Sequence, residues 1–358
     1  MPPRLAPDAV TAPFGTHRLH RPSLTIGTVL RTLPILRPLV SSLSGPIAND
    51  RAGQGTVDAP RPLAVWHMAS LDAPTVAVVW TLGFACAAEV RLPLWVPALV
   101  GLVTWAVYIV DRLLDARSAL ASMQPSRLRH RHRFHWRHRR LFSTLAAVAA
   151  LGALAIILIF VPLAARERGA ALGLATVAYF SGVHARRNPV SRLGWLPGPG
   201  RILDRIPFNQ VGNEVLVAAI FTCGCMLPVW PRAELISNPL WPLALVAAFF
   251  ALLAWLNYHA IGRWEAGAAC RHITTAGFIL AITGVASGTA LYQSHRTAAL
   301  LIASGAGSAF LLALLNRNRS MLTPLALRAS ADLVLCLPVL LLISAGRMAL
   351  AIAPMIRQ

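Results

Sequence analysis

The sequence predicts an all-α, polytopic membrane protein, and three observations lead to this fold class. Of the 358 residues, 56% are hydrophobic and only 13% are charged, whereas about a quarter of the residues in a soluble domain are charged. Apolar runs of roughly 17 to 25 residues recur along the chain, which is the length that a helix needs to cross a bilayer. A membrane β-barrel would instead show alternating segments of about ten residues.

The chain is expected to have two parts. Residues 1–64 are rich in Pro, Arg, Ser and Gly and contain no clean apolar core followed by a cleavage site. They are therefore predicted to form a disordered, basic cytoplasmic tail rather than a secretory signal. Residues 65–358 contain the apolar runs and are predicted to form one transmembrane helical domain.

About nine spans are predicted in that domain, near residues 74–90, 93–110, 142–163, 169–184, 214–230, 240–261, 274–292, 298–315 and 331–354. The arginines test this count, because cytoplasmic loops of membrane proteins carry an excess of basic residues. The loops after the second, fourth, sixth and eighth spans are rich in arginine, and the intervening loops are poor in it. This alternation places the N-terminus in the cytoplasm and the C-terminus on the opposite side of the bilayer.

The same topology accounts for the formal net charge of +20. Most of the arginines lie between apolar runs, so membrane topology explains them better than binding to nucleic acid does. The densest basic run, residues 127–140, interleaves arginines with His130, His132, His135 and His138. Contact with anionic lipids, together with membrane topology, is the favoured interpretation of this run. Direct diphosphate binding and metal binding are its alternatives.

Two carboxylates, Asp111 and Asp115, lie at the end of the second span in a chain that has only 13 acidic residues. A helical spacing of four places both on one face, where they could share a divalent cation. Magnesium bound to few carboxylates takes its remaining oxygens from water and from substrate phosphates, so a diphosphate would fit there. Ion pairing with Arg112 or Arg117 is the alternative.

A second polar cluster, residues 257–265, lies at the predicted cytoplasmic end of the sixth span. Its polar side chains include Asn257, Arg263 and Glu265. Both clusters are predicted to face the same compartment, and polar groups that converge at the ends of spans often mark a functional cavity.

Other polar residues near the spans are given structural roles. Asp72 and Glu214 are predicted to cap the starts of helices, since a carboxylate suits a helix N-terminus. Arg328 and Asp332 are one helical turn apart and are predicted to form an ion pair.

At the two clusters the chain resembles the UbiA superfamily of intramembrane prenyltransferases, over roughly residues 65–354. Members of that superfamily have nine helices and two acidic motifs, which follow helices two and six. The first motif typically reads Asn-Asp-x-x-Asp-x-x-x-Asp, and the segment 111–115, Asp-Arg-Leu-Leu-Asp, matches its last part. Val107 and Tyr108 stand where the family has Asn and Asp, and neither can replace a metal ligand.

The second motif is also half preserved. Asn257 and Glu265 match its outer positions, while Tyr258 and Ile261 occupy positions that are often acidic. After the fourth span, Tyr179 and the basic residues up to 187 look like the tyrosine and basic pair of the family, with shifted spacing.

The resemblance implies a UbiA-like bundle whose cavity opens toward the cytoplasm and the membrane. There, magnesium and arginines would withdraw charge from a prenyl diphosphate, and the allylic cation would alkylate an aromatic or other lipophilic acceptor. The residues that the resemblance assigns to magnesium or its water are Asp111, Asp115, Asn257 and Glu265, and those that it assigns to the diphosphate are Arg112, Arg186 and Arg263.

Two other function classes stay open. The missing motif positions suggest a catalytically silent descendant of this fold, in which Asp111 and Asp115 persist as ion-pair partners. A transporter or channel would need charges well inside the spans, and these are nearly absent apart from Arg347. The prenyltransferase interpretation is preferred, because paired acidic clusters fit its metal chemistry.

Overall fold

The computed structural model describes residues 58–121, 130–187, 210–235, 239–268 and 270–336. All of them belong to one compact unit, residues 49–358, and the fold within these ranges is all-α. The helices described are α1 (Arg61–Met68), α2 (Asp72–Ala87), α3 (Trp95–Ala121), α4 (His130–Arg137), α5 (Arg139–Phe160), α6 (Leu163–Arg187), α7 (Gln210–Met226), α8 (Trp230–Leu235), α9 (Trp241–Glu265), α10 (Arg271–Leu291), α11 (Arg296–Arg317) and α12 (Pro324–Leu335). Most of the predicted tail, residues 1–57, lies outside the described ranges, and α1 begins at Arg61.

Several helices have the length and composition of membrane spans, as the hydropathy pattern predicts. Among the described residues, five helices are long and apolar enough to cross a bilayer, namely α3, α5, α9, α10 and α11. A sixth crossing results if α1 and α2, which meet at an angle of 90°, form one broken span. These apolar helices indicate an integral membrane protein.

The remaining predicted spans correspond to helices that are shorter or more polar. The helix α2 has 16 residues and α7 has 17, fewer than the roughly 20 that a straight crossing needs. Near its start α6 carries three consecutive charged residues, Arg166, Glu167 and Arg168. Most of the last predicted span, 331–354, lies outside the described residues, so the count of nine stays a prediction.

The side chains of α5 are arranged as in a helix that faces lipid. Its buried side chains are mostly small, and its large aliphatic side chains point outward. The buried set is Phe142, Ala146, Ala149 and Ala153, and the exposed set includes Val148, Leu151, Leu154, Leu158 and Ile159. Small residues let the backbones of neighbouring helices approach, while lipid tails solvate the large apolar groups.

The helices α10 and α11 approach each other closely because α10 presents glycines to its neighbours. A Cβ atom at Gly277 would lie 2.9 Å from the Cβ of Ala313. A Cβ atom at Gly284 would lie 2.8 Å from the Cβ of Ala306 and 2.7 Å from the ring of Phe249 on α9. These distances are shorter than van der Waals contact, so side chains larger than hydrogen are excluded from both positions.

An aromatic group joins α2, α9 and α12. The ring of Trp80 stacks on that of Phe250 with their centroids 4.0 Å apart, and Phe84 packs edge-on against Phe250. The indole Nε1 of Trp80 donates a hydrogen bond of 2.9 Å to the carbonyl of Leu335. These contacts set the position of α12 relative to α2.

Many polar side-chain bonds between helices lie at one end of the bundle, which we call the polar end. Here α3, α9 and α11 end and α7, α10 and α12 begin. The bonds that define the polar end join Asn257 to Asp332, Glu265 to Arg328, Glu214 to His259, Trp264 to Asn316, and Asn316 to Thr274.

The close packing of α10 predicts the effect of adding one methyl group there. Gly284→Ala should lower the stability of the protein by about 1–3 kcal/mol, because the overpacked Cβ meets both Ala306 and Phe249. The matched control is Gly173→Ala in α6, where a Cβ atom meets nothing within 4 Å. Thermal unfolding in detergent measures both variants. Equal unfolding temperatures for the two would contradict the close packing.

Candidate functional site

The break between α1 and α2 brings a histidine and an aspartate together inside the protein. Ser70 lies at this break with a φ of 58°, in the left-handed region. The turn places Nδ1 of His67 2.8 Å from Oδ2 of Asp72, and both side chains are buried. We call the group formed by His67, Asp72, Arg112 and Asp332 the ionic centre.

Arg112 enters the ionic centre from α3. Its NH2 atom lies 3.4 Å from Oδ2 of Asp72 and donates a 2.9 Å hydrogen bond to the hydroxyl of Tyr108. The residue is only 3% exposed. Among the described residues, its Nε and NH1 atoms have no hydrogen-bond partner. A buried guanidinium with two unused donor nitrogens is costly, and a bound anion or water would satisfy them.

Asp332 enters the ionic centre from α12. Its Oδ1 accepts a 3.0 Å hydrogen bond from Nδ2 of Asn257 on α9. A ring nitrogen of His67, a carboxylate oxygen of Asp72 and a carboxylate oxygen of Asp332 all lie within 4.8 Å of one another, which is a grouping that could hold a metal ion. The buried Oδ1 of Asn257 has no hydrogen-bond partner in the described part of the chain.

The charges of the ionic centre partly cancel. The carboxylates of Asp72, which is buried, and Asp332, which is half-buried, repel each other when both are ionised, and the guanidinium of Arg112 offsets that repulsion. Arg328, one turn before Asp332, pairs with Glu265 at the edge of the group. Buried ions of this kind are stable only when partners replace the lost water, so each member depends on the others.

The structure brings together some of the residues singled out in the two sequence motifs. Arg112, from the first motif, and Asn257, from the second, meet through Asp72 and Asp332. Glu265 lies at the edge of this group, where Arg328 binds its carboxylate.

The other four candidate residues lie on α3, α6 and α9. Asp111 and Asp115 lie half-buried on one face of α3; Asp111 is about 100° and Asp115 about 60° around the helix from Arg112. Arg263 is half-buried on α9. The side chain of Arg186 lies outside the described residues. Whether these four residues bind magnesium or diphosphate stays a prediction.

Three structural roles assigned from the sequence are wrong or incomplete. The Oδ1 of Asp72 does accept the backbone N–H of Ala73 at 3.0 Å, but its carboxylate mainly serves the ionic centre. Glu214 does not cap a helix, because α7 begins four residues earlier at Gln210. Arg328 and Asp332 do not pair with each other, since each bonds to α9 instead.

The sequence contained a signal for the ionic centre. Asp72 is an acidic residue at the start of an apolar run and follows a histidine by five residues. Its partners, Arg112 and Asp332, are 40 and 260 positions further along the chain, and no local pattern connects them.

The run of arginines and histidines forms α4 over part of its length, and α4 is not purely a surface element. His135 is fully buried, and its Nε2 lies 3.0 Å from the hydroxyl of Ser70 at the α1–α2 break. The ring of His135 also packs on Phe142 with centroids 4.4 Å apart. The arginine-rich helix is thus attached to the segment that positions His67 and Asp72.

No protein-family model, curated protein or solved structure matches this chain. The function must therefore be argued from the residues and their geometry.

The ionic centre predicts a large difference between two carboxylate substitutions. Asp72→Asn should destabilise the protein by about 3 kcal/mol or more, because it leaves the buried Arg112 without its counter-ion. The matched control is Glu234→Gln, since Glu234 pairs with Arg168 at 3.5 Å where both side chains are about half exposed. That change should cost less than about 1 kcal/mol. Chemical or thermal unfolding in detergent compares them, and similar losses would show that Asp72 is not essential to the ionic centre.

Proposed function

We propose that this chain is a UbiA-like integral membrane prenyltransferase, which moves a prenyl group from a prenyl diphosphate to an aromatic or other lipophilic acceptor. In this proposal the domain has about nine spans, and the polar end faces the cytoplasm. The observation that carries the proposal is the buried guanidinium of Arg112, which has two donor nitrogens without partners in the described chain and lies beside a group of carboxylates.

Arg112 has the properties of an anion-binding residue. A guanidinium offers its donors in a planar fork that matches phosphate oxygens, and its NH2 atom is already held by Asp72 and Tyr108. Those two contacts orient the fork and leave Nε and NH1 for a ligand. The resemblance assigns the same residue to the diphosphate.

The residues present fit a magnesium ion in part. Asp111 and Asp115 provide oxygen atoms with the spacing of one helical turn, and the unpartnered Oδ1 of Asn257 is a further oxygen. The carboxylate of Glu265 is held by Arg328, so it fits a role through bound water better than direct ligation. Magnesium, when bound, would supply positive charge that stabilises the leaving diphosphate.

The residues of the chain would act by binding and orientation. In the transfer, the bond between the prenyl C1 and the diphosphate oxygen breaks, a bond forms between C1 and the acceptor, and the acceptor releases a proton. Arg112, with Arg186 and Arg263 as further predicted contacts, would stabilise the negative charge that develops on the diphosphate. The apolar helices around the polar end would hold the prenyl chain and keep water from the allylic cation.

A second candidate is a catalytically silent protein of the same fold, and one observation favours it. Asn257 and Glu265 already bond to Asp332 and Arg328, so two of the motif residues have structural partners. Val107 and Tyr108 also replace two expected ligands in the first motif.

Ligand-induced stabilisation separates the two candidates. Geranylgeranyl diphosphate, or a shorter homologue, should raise the unfolding temperature of the purified protein when magnesium is present. At a ligand concentration 100 times the dissociation constant, the stabilisation is about 2.7 kcal/mol. The absence of any shift with all of these diphosphates would end the enzyme proposal and support the silent protein.

Two variants and a control locate the ligand. Asp115→Asn should abolish the magnesium-dependent shift, and Arg112→Lys should weaken it because lysine lacks the planar fork. Arg296→Lys, at the start of α11 and away from the polar end, should leave the shift unchanged. If Asp115→Asn lowers the unfolding temperature of the free protein and leaves the shift intact, Asp115 is an ion-pair partner and not a metal ligand.

A further inference from the structure

The arginine-rich run has an exposed outer side, and none of its residues is assigned to the proposed reaction. We call this side the arginine surface and define it by two arginines of α4 and two at the start of α5, namely Arg133, Arg137, Arg139 and Arg140. Within the described ranges, none of these four forms an ion pair with an acidic residue. Positive charges that lack counter-ions in the protein attract anions from the surroundings.

The packing of α4 fixes the direction in which the arginine surface faces. Arg133 and Arg137 are one turn apart on one side of the helix, and Phe134 and His135 occupy the other side. Phe134 and His135 are both buried, and the rings of both pack on Phe142 of α5. Because this side holds α4 onto the bundle, the two arginines point away from the protein interior.

The start of α5 shows that this outward side meets the bilayer. Leu151 and Leu158 follow Arg140 by 11 and 18 residues, which is about three and five turns, so all three lie on one face of α5. The two leucines are 65% and 58% exposed, and this face is the one that packs against lipid tails. The hydroxyl of Thr144, one turn after Arg140, donates a 3.0 Å hydrogen bond to the carbonyl of Arg140, so it needs no water. The face thus changes from charged to suited for hydrocarbon within one turn, which is the level of the lipid headgroups.

A tryptophan at the end of α4 supports the same level. The ring of Trp136 is half-buried, and the guanidinium of Arg139 lies over it at 5.0 Å from the ring centroid. NH1 of Arg139 also donates a 3.3 Å hydrogen bond to the carbonyl of Trp136. Tryptophans are enriched at the membrane–water interface, and long arginine side chains reach from there to the headgroups.

We propose that the arginine surface binds the phosphate groups of anionic phospholipids in the leaflet at the polar end. His135 attaches α4 to Ser70 beside the ionic centre, which places the surface at that end. Guanidinium groups match phosphate oxygens, and an anionic lipid adds the net negative charge that a zwitterionic lipid lacks. A prenyl diphosphate held by Arg112 does not fit this surface, because its arginines face outward. The proposal depends on the membrane location of the chain and not on the prenyltransferase activity.

Lipid binding by the full-length protein, purified in an uncharged detergent, tests the proposal. Native mass spectrometry counts the phospholipids that stay bound, and a titration gives their affinity. Phosphatidylglycerol should bind more tightly than phosphatidylcholine with the same acyl chains. Each basic residue near an anionic membrane contributes a factor of about five, so Arg140→Gln should weaken phosphatidylglycerol binding about fivefold. The triple variant Arg133→Gln, Arg137→Gln and Arg140→Gln should weaken it about a hundredfold.

The matched control removes the same charge elsewhere at the polar end, by changing the exposed Arg271, Arg317 and Arg319 to Gln. It should keep the preference for phosphatidylglycerol. Equal losses in the two triple variants would overturn the proposal, because net charge alone would then explain lipid binding. The unfolding temperature of each variant without added lipid verifies the fold, and the single variant Arg140→Gln decides the test if the triple variant does not fold.

Two further measurements separate the lipid from other phosphates. Soluble glycerol phosphate should bind far more weakly than phosphatidylglycerol, and equal binding would overturn the proposal by showing a site for free phosphate. The triple variant should also keep any stabilisation by prenyl diphosphates. If it loses that stabilisation while its lipid binding is unchanged, the arginines belong to the substrate site and the proposal is wrong.

Discussion

The pairing of the buried Asp72 carboxylate with His67 and Arg112 is the interaction on which the described structure depends. A carboxylate removed from water costs several kcal/mol unless partners replace the lost hydration. Supplying those partners requires the chain to break between α1 and α2, so that His67 turns back toward Asp72. It also requires α3 to present Arg112 inward. The break between α1 and α2 and the orientation of α3 about its own axis are therefore both explained by the need to pair one buried carboxylate.

Apolar packing positions the rest of the site around that ion. Trp80 lies two turns after Asp72 on α2, stacks on Phe250 of α9, and donates to the carbonyl of Leu335 on α12. The same three helices carry Asp72, Asn257 and Asp332 at the polar end. Because helices are stiff, an aromatic contact made in the middle of the bundle sets the distances between the polar groups at its end.

Much of the fold could be predicted from the sequence, and less of the site. The apolar runs predicted the long helices well, because hydropathy is a local property of each segment. The motif spacing singled out Arg112 and Asn257, which do meet in the ionic centre. It did not find His67, Asp72 or Asp332, since their partners are distant in the chain and only the packed helices bring them together. The count of nine spans stays a prediction, because helices such as α2 are shorter than a straight crossing needs.

The two ends of the bundle differ in whether lipid tails could replace the contacts between their helices. At the opposite end, where α2 ends and α11 begins, buried residues such as Ala88, Leu291 and Ala298 pack together. Lipid tails are as apolar as these side chains and can substitute for them at little cost, whereas no lipid tail can replace an ion pair or an amide hydrogen bond. Separating two helices therefore costs more where bonds such as that between Asn257 and Asp332 hold them than where only apolar side chains pack.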